Sequence, residues 1–171
     1  MNLADTRDIS APRPAVWAAI LDPEVLKACI PGCKELTGTV DDGFEAVVVQ
    51  KVGPVKATFK GQVEVSDIVI GESLTLTGQG KGGPAGFAKG AAKVSFADTD
   101  EGGTLLTYDV EAKIGGKLAQ LGSRIIDGFT KKLADQFFER FQDGLEDPTE
   151  ADSSEEDDEK PKKGWIGRML G

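Results

Sequence analysis

KLAQLGSRIIDGFTKKLADQFFERFQDGL, residues 117–145, is the longest strongly periodic stretch of this 171-residue chain. Its apolar residues fall at Leu118, Leu121, Ile125, Phe129, Leu133, Phe137, Phe141 and Leu145. That spacing of three or four lines one face of an α-helix. Lys117, Gln120, Arg124, Asp127, Lys131, Asp135, Glu139 and Asp143 fill the opposite, solvated face. About 29 residues at ~1.5 Å each span roughly 43 Å, more than the width of a small domain. Such a helix needs a broad apolar surface, and the rest of the chain reads as a curved sheet that supplies it.

Residues 3–9 (LADTRDI) read as a first strand. Ser10 is placed to cap a short helix with Pro12 and Pro14 in its first turn and Val16, Trp17, Ile20 and Leu21 on one face. Asp22-Pro23 restarts the chain into a second short helix, 24–30, stopped by Pro31-Gly32. Strands follow at 34–40 and 44–52, joined by Asp41-Asp42-Gly43, and Gly53-Pro54 makes the next turn. Over 55–65 the alternation is clearest, with Val55, Ala57, Phe59, Gly61, Val63 and Val65 on one face and Lys56, Thr58, Lys60, Gln62 and Glu64 on the other. That is a strand with one buried and one wet face. Residues 73–81, 91–97 and 104–113 complete the sheet, and the glycine-rich 82–90 reads as a mobile loop with Phe87 as its apolar contact. Seven strands, six of them consecutive, with two short helices after the first and one long helix at the end, predict an α+β fold whose helices cover one face of an antiparallel sheet.

The 22 glycines are nearly twice the usual share of about 7%. Gly61, Gly78 and Gly80 fall on the apolar face of strands, and Gly122 and Gly128 within the long helix. Glycine there marks a bend, or leaves volume that a side chain would fill. Both readings stand on sequence.

Histidine is absent, which removes Ser-His-Asp and Cys-His catalysis and the commonest transition-metal ligand. Cys29 and Cys33 flank Ile30-Pro31-Gly32; two thiolates do not complete a tetrahedral zinc site, so buried reduced thiols are expected and no metal. Gly80 to Gly90 lacks the Gly-Lys-Ser/Thr ending of a phosphate loop. Asp109, Glu111 and Asp127 are the only acids near the expected core, and a solvated face accounts for each. Tyr108, the single tyrosine, should point inward, where its hydroxyl needs a partner or serves a ligand carbonyl.

The net charge of −9 is unevenly spread. Residues 146–159 (EDPTEADSSEEDDE) carry nine acids and no base, and 160–171 carry Lys160, Lys162, Lys163 and Arg168 with no acid. The domain 1–145 is therefore only mildly acidic, with no basic stripe for nucleic acid. The reading divides the chain into that domain, a disordered linker at 146–163 and an amphipathic anchor at 164–171. In a helix Trp165, Ile166, Met169 and Leu170 share a face, and with Lys162, Lys163 and Arg168 they suit an anionic membrane surface or a groove on a partner protein. No secretory signal and no run of about 18 apolar residues is present. With sparse cysteine, this places the expected location in the cytoplasm, peripheral on the inner face of the cell membrane.

Several segments together carry a resemblance. They are Asp22-Pro23-Glu24-Val25-Leu26-Lys27 with Ile30-Pro31-Gly32-Cys33, then Val52-Gly53-Pro54-Val55-Lys56-Ala57, then the run Gly80 to Gly90. The most specific is Gly115-Gly116-Lys117-Leu118-Ala119-Gln120-Leu121-Gly122-Ser123-Arg124. Over 1–145 the chain resembles the carbon monoxide dehydrogenase G-subunit family of the START-like helix-grip superfamily. The resemblance implies a seven-stranded antiparallel sheet curved around the C-terminal helix, with an apolar cavity between them. It also implies a non-enzymatic, membrane-associated bacterial accessory protein that binds a respiratory quinone (menaquinone or ubiquinone) and serves a molybdenum hydroxylase such as carbon monoxide dehydrogenase. On that footing Phe59, Gly61, Val63, Leu76, Phe87, Phe96, Tyr108, Leu121, Ile125 and Phe129 are the expected cavity contacts, and no residue is catalytic. A cyclase or hydrolase of the same fold, or a pure assembly factor, are the alternatives.

Overall fold

The computed structural model describes residues 1–145. Strand β1 (Asn2–Ile9) leads to helices α1 (Arg13–Ile20) and α2 (Pro23–Cys29). Six strands follow: β2 (Cys33–Thr39), β3 (Gly43–Val52), β4 (Val55–Val69), β5 (Ser73–Lys81), β6 (Phe87–Asp98) and β7 (Thr104–Gly115). Helices α3 (Lys117–Gln120) and α4 (Ser123–Leu145) end the described chain. The strands form one sheet in the order β1-β7-β6-β5-β4-β3-β2, every neighbouring pair antiparallel. Consecutive hairpins place β2 to β7 side by side, and β1 returns to pair with β7.

Three local expectations are corrected. Ser10 caps nothing: α1 starts behind Pro12 with no side-chain cap, whereas Asp22 accepts from the Glu24 backbone N–H at 2.9 Å and caps α2. The glycine-rich loop is shorter than expected, because β6 already begins at Phe87 and only a 3-10 turn, Gly83–Ala85, separates it from β5. The long helix is broken. Gly122 has φ +91°, a conformation glycine adopts without strain, and it separates the four residues of α3 from the 23 of α4.

The apolar row read along this helix is also not one face. Each step of four residues advances about 40° beyond a full turn, so five steps from Ile125 to Leu145 carry the row roughly 200° around the axis. Ile125 is accordingly 41% exposed, while its neighbour Ile126 is buried. At the other end Phe141 and Leu145 are buried.

Two apolar clusters fill the concave side. The larger joins Ile9, Leu74, Phe96, Leu106 and Tyr108 of the sheet, with Ala11 of the β1–α1 connection, to Val16, Ala19, Val25 and Cys29 of α1 and α2, and to Phe141 and Leu145 of α4. The smaller lies at the opposite end, where Val52, Leu118 and Ile126 are buried, with Val55, Phe59, Ile114, Leu121 and Phe129 packed against them. Phe141 has no exposed surface and sits 5.8 Å from Phe137, ring to ring. Replacing Phe141 by Ala should lower the unfolding free energy by about 3–5 kcal/mol in urea denaturation; a loss under ~1 kcal/mol would show that the helix end is not part of the core.

Candidate ligand-binding site

Strand register defines what lines the concave face between these clusters. Leu74 and Leu76 point inward into the large cluster, so by the period of two Gly78 and Gly80 point inward as well. Gly80 pairs with Gly61 on β4 and Ala88 on β6, and Gly78 pairs with Val63 and Gly90. Continuing across, Gly90 pairs with Ala112 on β7, and Gly61 with Ala46 on β3. The result is a transverse band of Gly, Ala and Val through five strands, and none of its members belongs to either packed cluster. A Cβ added at Gly80 would meet nothing within 4 Å. Open space faces Gly80, whereas a Cβ at Gly78 or Gly90 would run into the Gln62 or Glu111 carbonyl of the neighbouring strand.

Helix α4 does not fill that space. It packs against α2 and, among the strands, chiefly against β1 and β3 towards the two sides of the sheet. Leu133 and Ala134, midway along it, are only half-buried and join neither cluster. Small side chains thus occupy the stretch of sheet between the two clusters, and Gly80 there faces open space.

The expected contact residues divide accordingly. Gly61 and Val63 lie in the band. Leu76 borders it from the large cluster, and Phe59, Leu121 and Phe129 border it from the small one. Two residues are misplaced by the sequence reading. Phe87 has the parity of Lys89 and Lys93, so it stands on the outer face of β6, 45% exposed, with its ring over Gly115. Ile125 points outward toward the β3–β4 turn, its methyl 3.6 Å from where a Gly53 Cβ would stand. Phe96 is core: six residues, or about 20 Å, along β6 from Gly90, its ring meets Trp17 edge to face at 5.2 Å. The anchor residues Lys162, Lys163, Trp165, Ile166, Arg168, Met169 and Leu170 lie outside the described residues. Asp109, Glu111 and Asp127 are all exposed.

Sequence reasoning missed Arg7. The inward parity of Leu3, Asp5, Arg7 and Ile9 carries its guanidinium between sheet and helix. There it donates from Nε at 3.3 Å and Nη2 at 3.1 Å to the Tyr108 hydroxyl, and from Nη2 at 2.7 Å to Asp135 on α4. Its Cζ lies 5.1 Å from the Phe138 ring centroid, within cation–π range, and Tyr108 stacks on Phe138 at 5.3 Å. Burial alone would lower the Arg7 pKa, but the hydrogen bonds to Asp135 and Tyr108 outweigh it and the net shift is upward. Tyr108 thus has its partner within the protein, and its oxygen accepts, leaving the O–H as a donor.

Two grooves, of about 1140 and 690 Å³, open on the outer face instead. Both take in the exposed polar residues Glu45, Gln62 and Gln79, and band members line them as well: Val63, Gly78, Gly90 and Ala112 in the larger, Ala46 and Gly61 in the smaller. No group of three His, Cys, Asp or Glu among the described residues could hold a metal ion. Cys29 is buried and Cys33 half-buried, and they form no disulfide with each other.

Over residues 6–146 the chain matches the family described as the G subunit of carbon monoxide dehydrogenase (CoxG). It belongs to that family. Among solved structures it is similar to a conserved protein from Geobacillus kaustophilus, at 30% identity and TM-score 0.79, covering 85% of this chain and 95% of that one. A START superfamily protein from Mycobacterium smegmatis shares the fold at 14% identity and TM-score 0.66, covering 86% and 99%. A protein from Chromobacterium violaceum does so at 20% identity and TM-score 0.62, covering 85% and 97%. No curated protein matches the chain. The helix-grip arrangement expected from the resemblance is therefore the observed one: a curved seven-stranded antiparallel sheet with a long C-terminal helix.

Two outcomes follow from the local chemistry. Arg7→Met keeps the apolar stem but strands the Tyr108 oxygen and Asp135, and should cost about 1–3 kcal/mol in denaturant titration; Asp135→Asn, at a half-exposed carboxylate, should cost less than about 1. Burial pushes the Cys33 thiol up, while Lys27 and a backbone hydrogen bond at Glu35 pull the other way. The thiol should stay protonated at neutral pH, with alkylation still accelerating above about pH 9; a plateau near pH 7 would contradict that environment.

Proposed function

We propose that this CoxG-family protein is a non-enzymatic accessory protein that holds a respiratory quinone, menaquinone or ubiquinone, in the gap between the Gly/Ala band and α4, and that it serves a molybdenum-containing carbon monoxide dehydrogenase or a related hydroxylase. The observation that carries the proposal is the open space facing Gly80, bordered by apolar residues from both clusters. A quinone is a flat, apolar ring with two carbonyl acceptors. It suits a slot with apolar walls and few polar groups. Gly61 and Gly80 leave room for a ring to lie on the sheet, and Tyr108 supplies an O–H donor on the large-cluster side.

Two features favour a carrier over a cyclase or hydrolase. The chain has no histidine, and Arg7, which β1 turns inward, is engaged with Asp135 on α4. The family's description names a component of carbon monoxide dehydrogenase, which supports a redox enzyme as partner. None of the described helices is long and apolar enough to cross a membrane. Membrane association would then come from the basic and apolar side chains at 162–170.

Purified protein titrated with a short-chain menaquinone or ubiquinone should show saturable binding. Gly80→Leu, which fills the open space, should weaken it at least about tenfold, the loss of ~1.4 kcal/mol of contact, with thermal stability unchanged. Equal binding by both proteins, or none by either, sinks the quinone proposal. For the tail, Trp165→Ala with Leu170→Ala should reduce cosedimentation with anionic vesicles at low salt several-fold, each apolar side chain being worth about 1.5–3 kcal/mol if fully buried; unchanged binding removes the anchor.

A further inference from the structure

The described domain is electrically two-ended, although its net charge is small. At the end where β3 passes to β4 and β5 to β6, the exposed outer-face residues Lys51, Lys56, Lys60, Lys81, Lys89 and Lys113 stand close together. Register brings them there: Lys51 pairs with Lys56, Lys60 with Lys81, and Lys89 with Lys113. Lys117 on α3 and Arg124 at the start of α4 extend the patch around the helix break. None of these eight cations is ion-paired among the described residues. Glu35 and Glu45 share an outer groove with Lys60 and Lys81 at the β2–β3 side of the patch, Glu111 stands one row further along β7, and Asp127 lies on α4, so the cations outnumber the acids around them by eight to four. The opposite end carries Asp8, Asp67, Glu72, Asp100 and Glu101, with Arg13 held by Asp98 at 3.0 Å.

Like charges placed directly across a strand pair repel, so folding alone does not favour three lysine–lysine pairs. Two of the six large exposed apolar residues also sit at this end: Phe87, paired with Lys81, and Ile125, beside the β3–β4 turn. We infer that this end of the domain is itself a docking face for an anionic phospholipid surface, with the lysines meeting headgroups and Phe87 and Ile125 entering the interface. A membrane fits better than an acidic protein. Long lysine stems around isolated apolar tips suit a soft, headgroup-rich surface, whereas a packed protein interface favours a desolvated centre depleted of lysine. The docked end is also the one closed by the small cluster of Val52, Leu118 and Ile126, so the bilayer would lie against the thinner of the two plugs. The face belongs to residues 51–125 and does not depend on the tail.

The test is cosedimentation of the full chain with phosphatidylcholine vesicles, with and without phosphatidylglycerol. The triple variant Lys81→Glu, Lys89→Glu and Lys113→Glu is compared with Lys34→Glu, Lys93→Glu and Lys132→Glu, which changes net charge equally at exposed positions elsewhere. Both sets are also made with Trp165→Ser, so that the tail's contribution is read separately. Binding should require the anionic lipid and weaken with salt. The first triple should lose at least about tenfold in partitioning and the second under about threefold, in both backgrounds. Equal loss in the two triples reduces the effect to net charge and overturns the proposal. So does unchanged binding in the first, which would leave the lysines to an acidic protein surface.

Discussion

A single α-helix is too narrow to fill the concave side of a seven-stranded sheet. The helix is about 10 Å across with its side chains, while six inter-strand spacings of ~4.8 Å make the sheet roughly 29 Å wide. Everything else in the structure is arranged around that mismatch. One end is filled by inserting α1 and α2, whose Val16, Ala19, Val25 and Cys29 are completely buried. The other is filled by folding the chain back at Gly122, so that Leu118 and Leu121 turn in beside Ile126. Between them nothing large is supplied, and the sheet itself turns to glycine and alanine.

Packing is thus placed at the two ends, and in the middle Gly80 faces open space. A protein built only for stability would put leucine or phenylalanine at Gly80, since glycine within a strand weakens it. Arg7 shows the same pattern in a polar form. Its bonds to Tyr108 and Asp135 span from β1 and β7 to α4, adding polar ties to the ring stacking of Tyr108 on Phe138 that holds the helix there.

Sequence periodicity is informative wherever a strand has one wet face. The alternation over 55–65, the turns at Gly43 and Gly53 and the order of elements are all legible, and with them the architecture. Two kinds of information are not. Phase is lost along the helix: a four-residue row on a 3.6-residue repeat drifts, so Ile125 reads as inward where Ile126 is the buried residue. Side is lost where composition masks a strand. The run from Phe87 to Gly90 looks like a loop, yet it is the start of β6, which turns Phe87 outward and leaves Ala88 and Gly90 on the inner face. Arg7 is hidden differently, because a charge on a first strand reads as solvated until its partner, 128 residues later, is known.

Leu145, the last described residue, is 5% exposed, and Phe141 one turn before it is fully enclosed. Mechanically, any load arriving through the following chain is applied to the best-packed part of the domain. Pulling there runs along the helix axis and must shear a close-packed set of rings before it can peel the chain away. The domain would swing on its attachment as a stiff body, and the force would not be spent unravelling a frayed end.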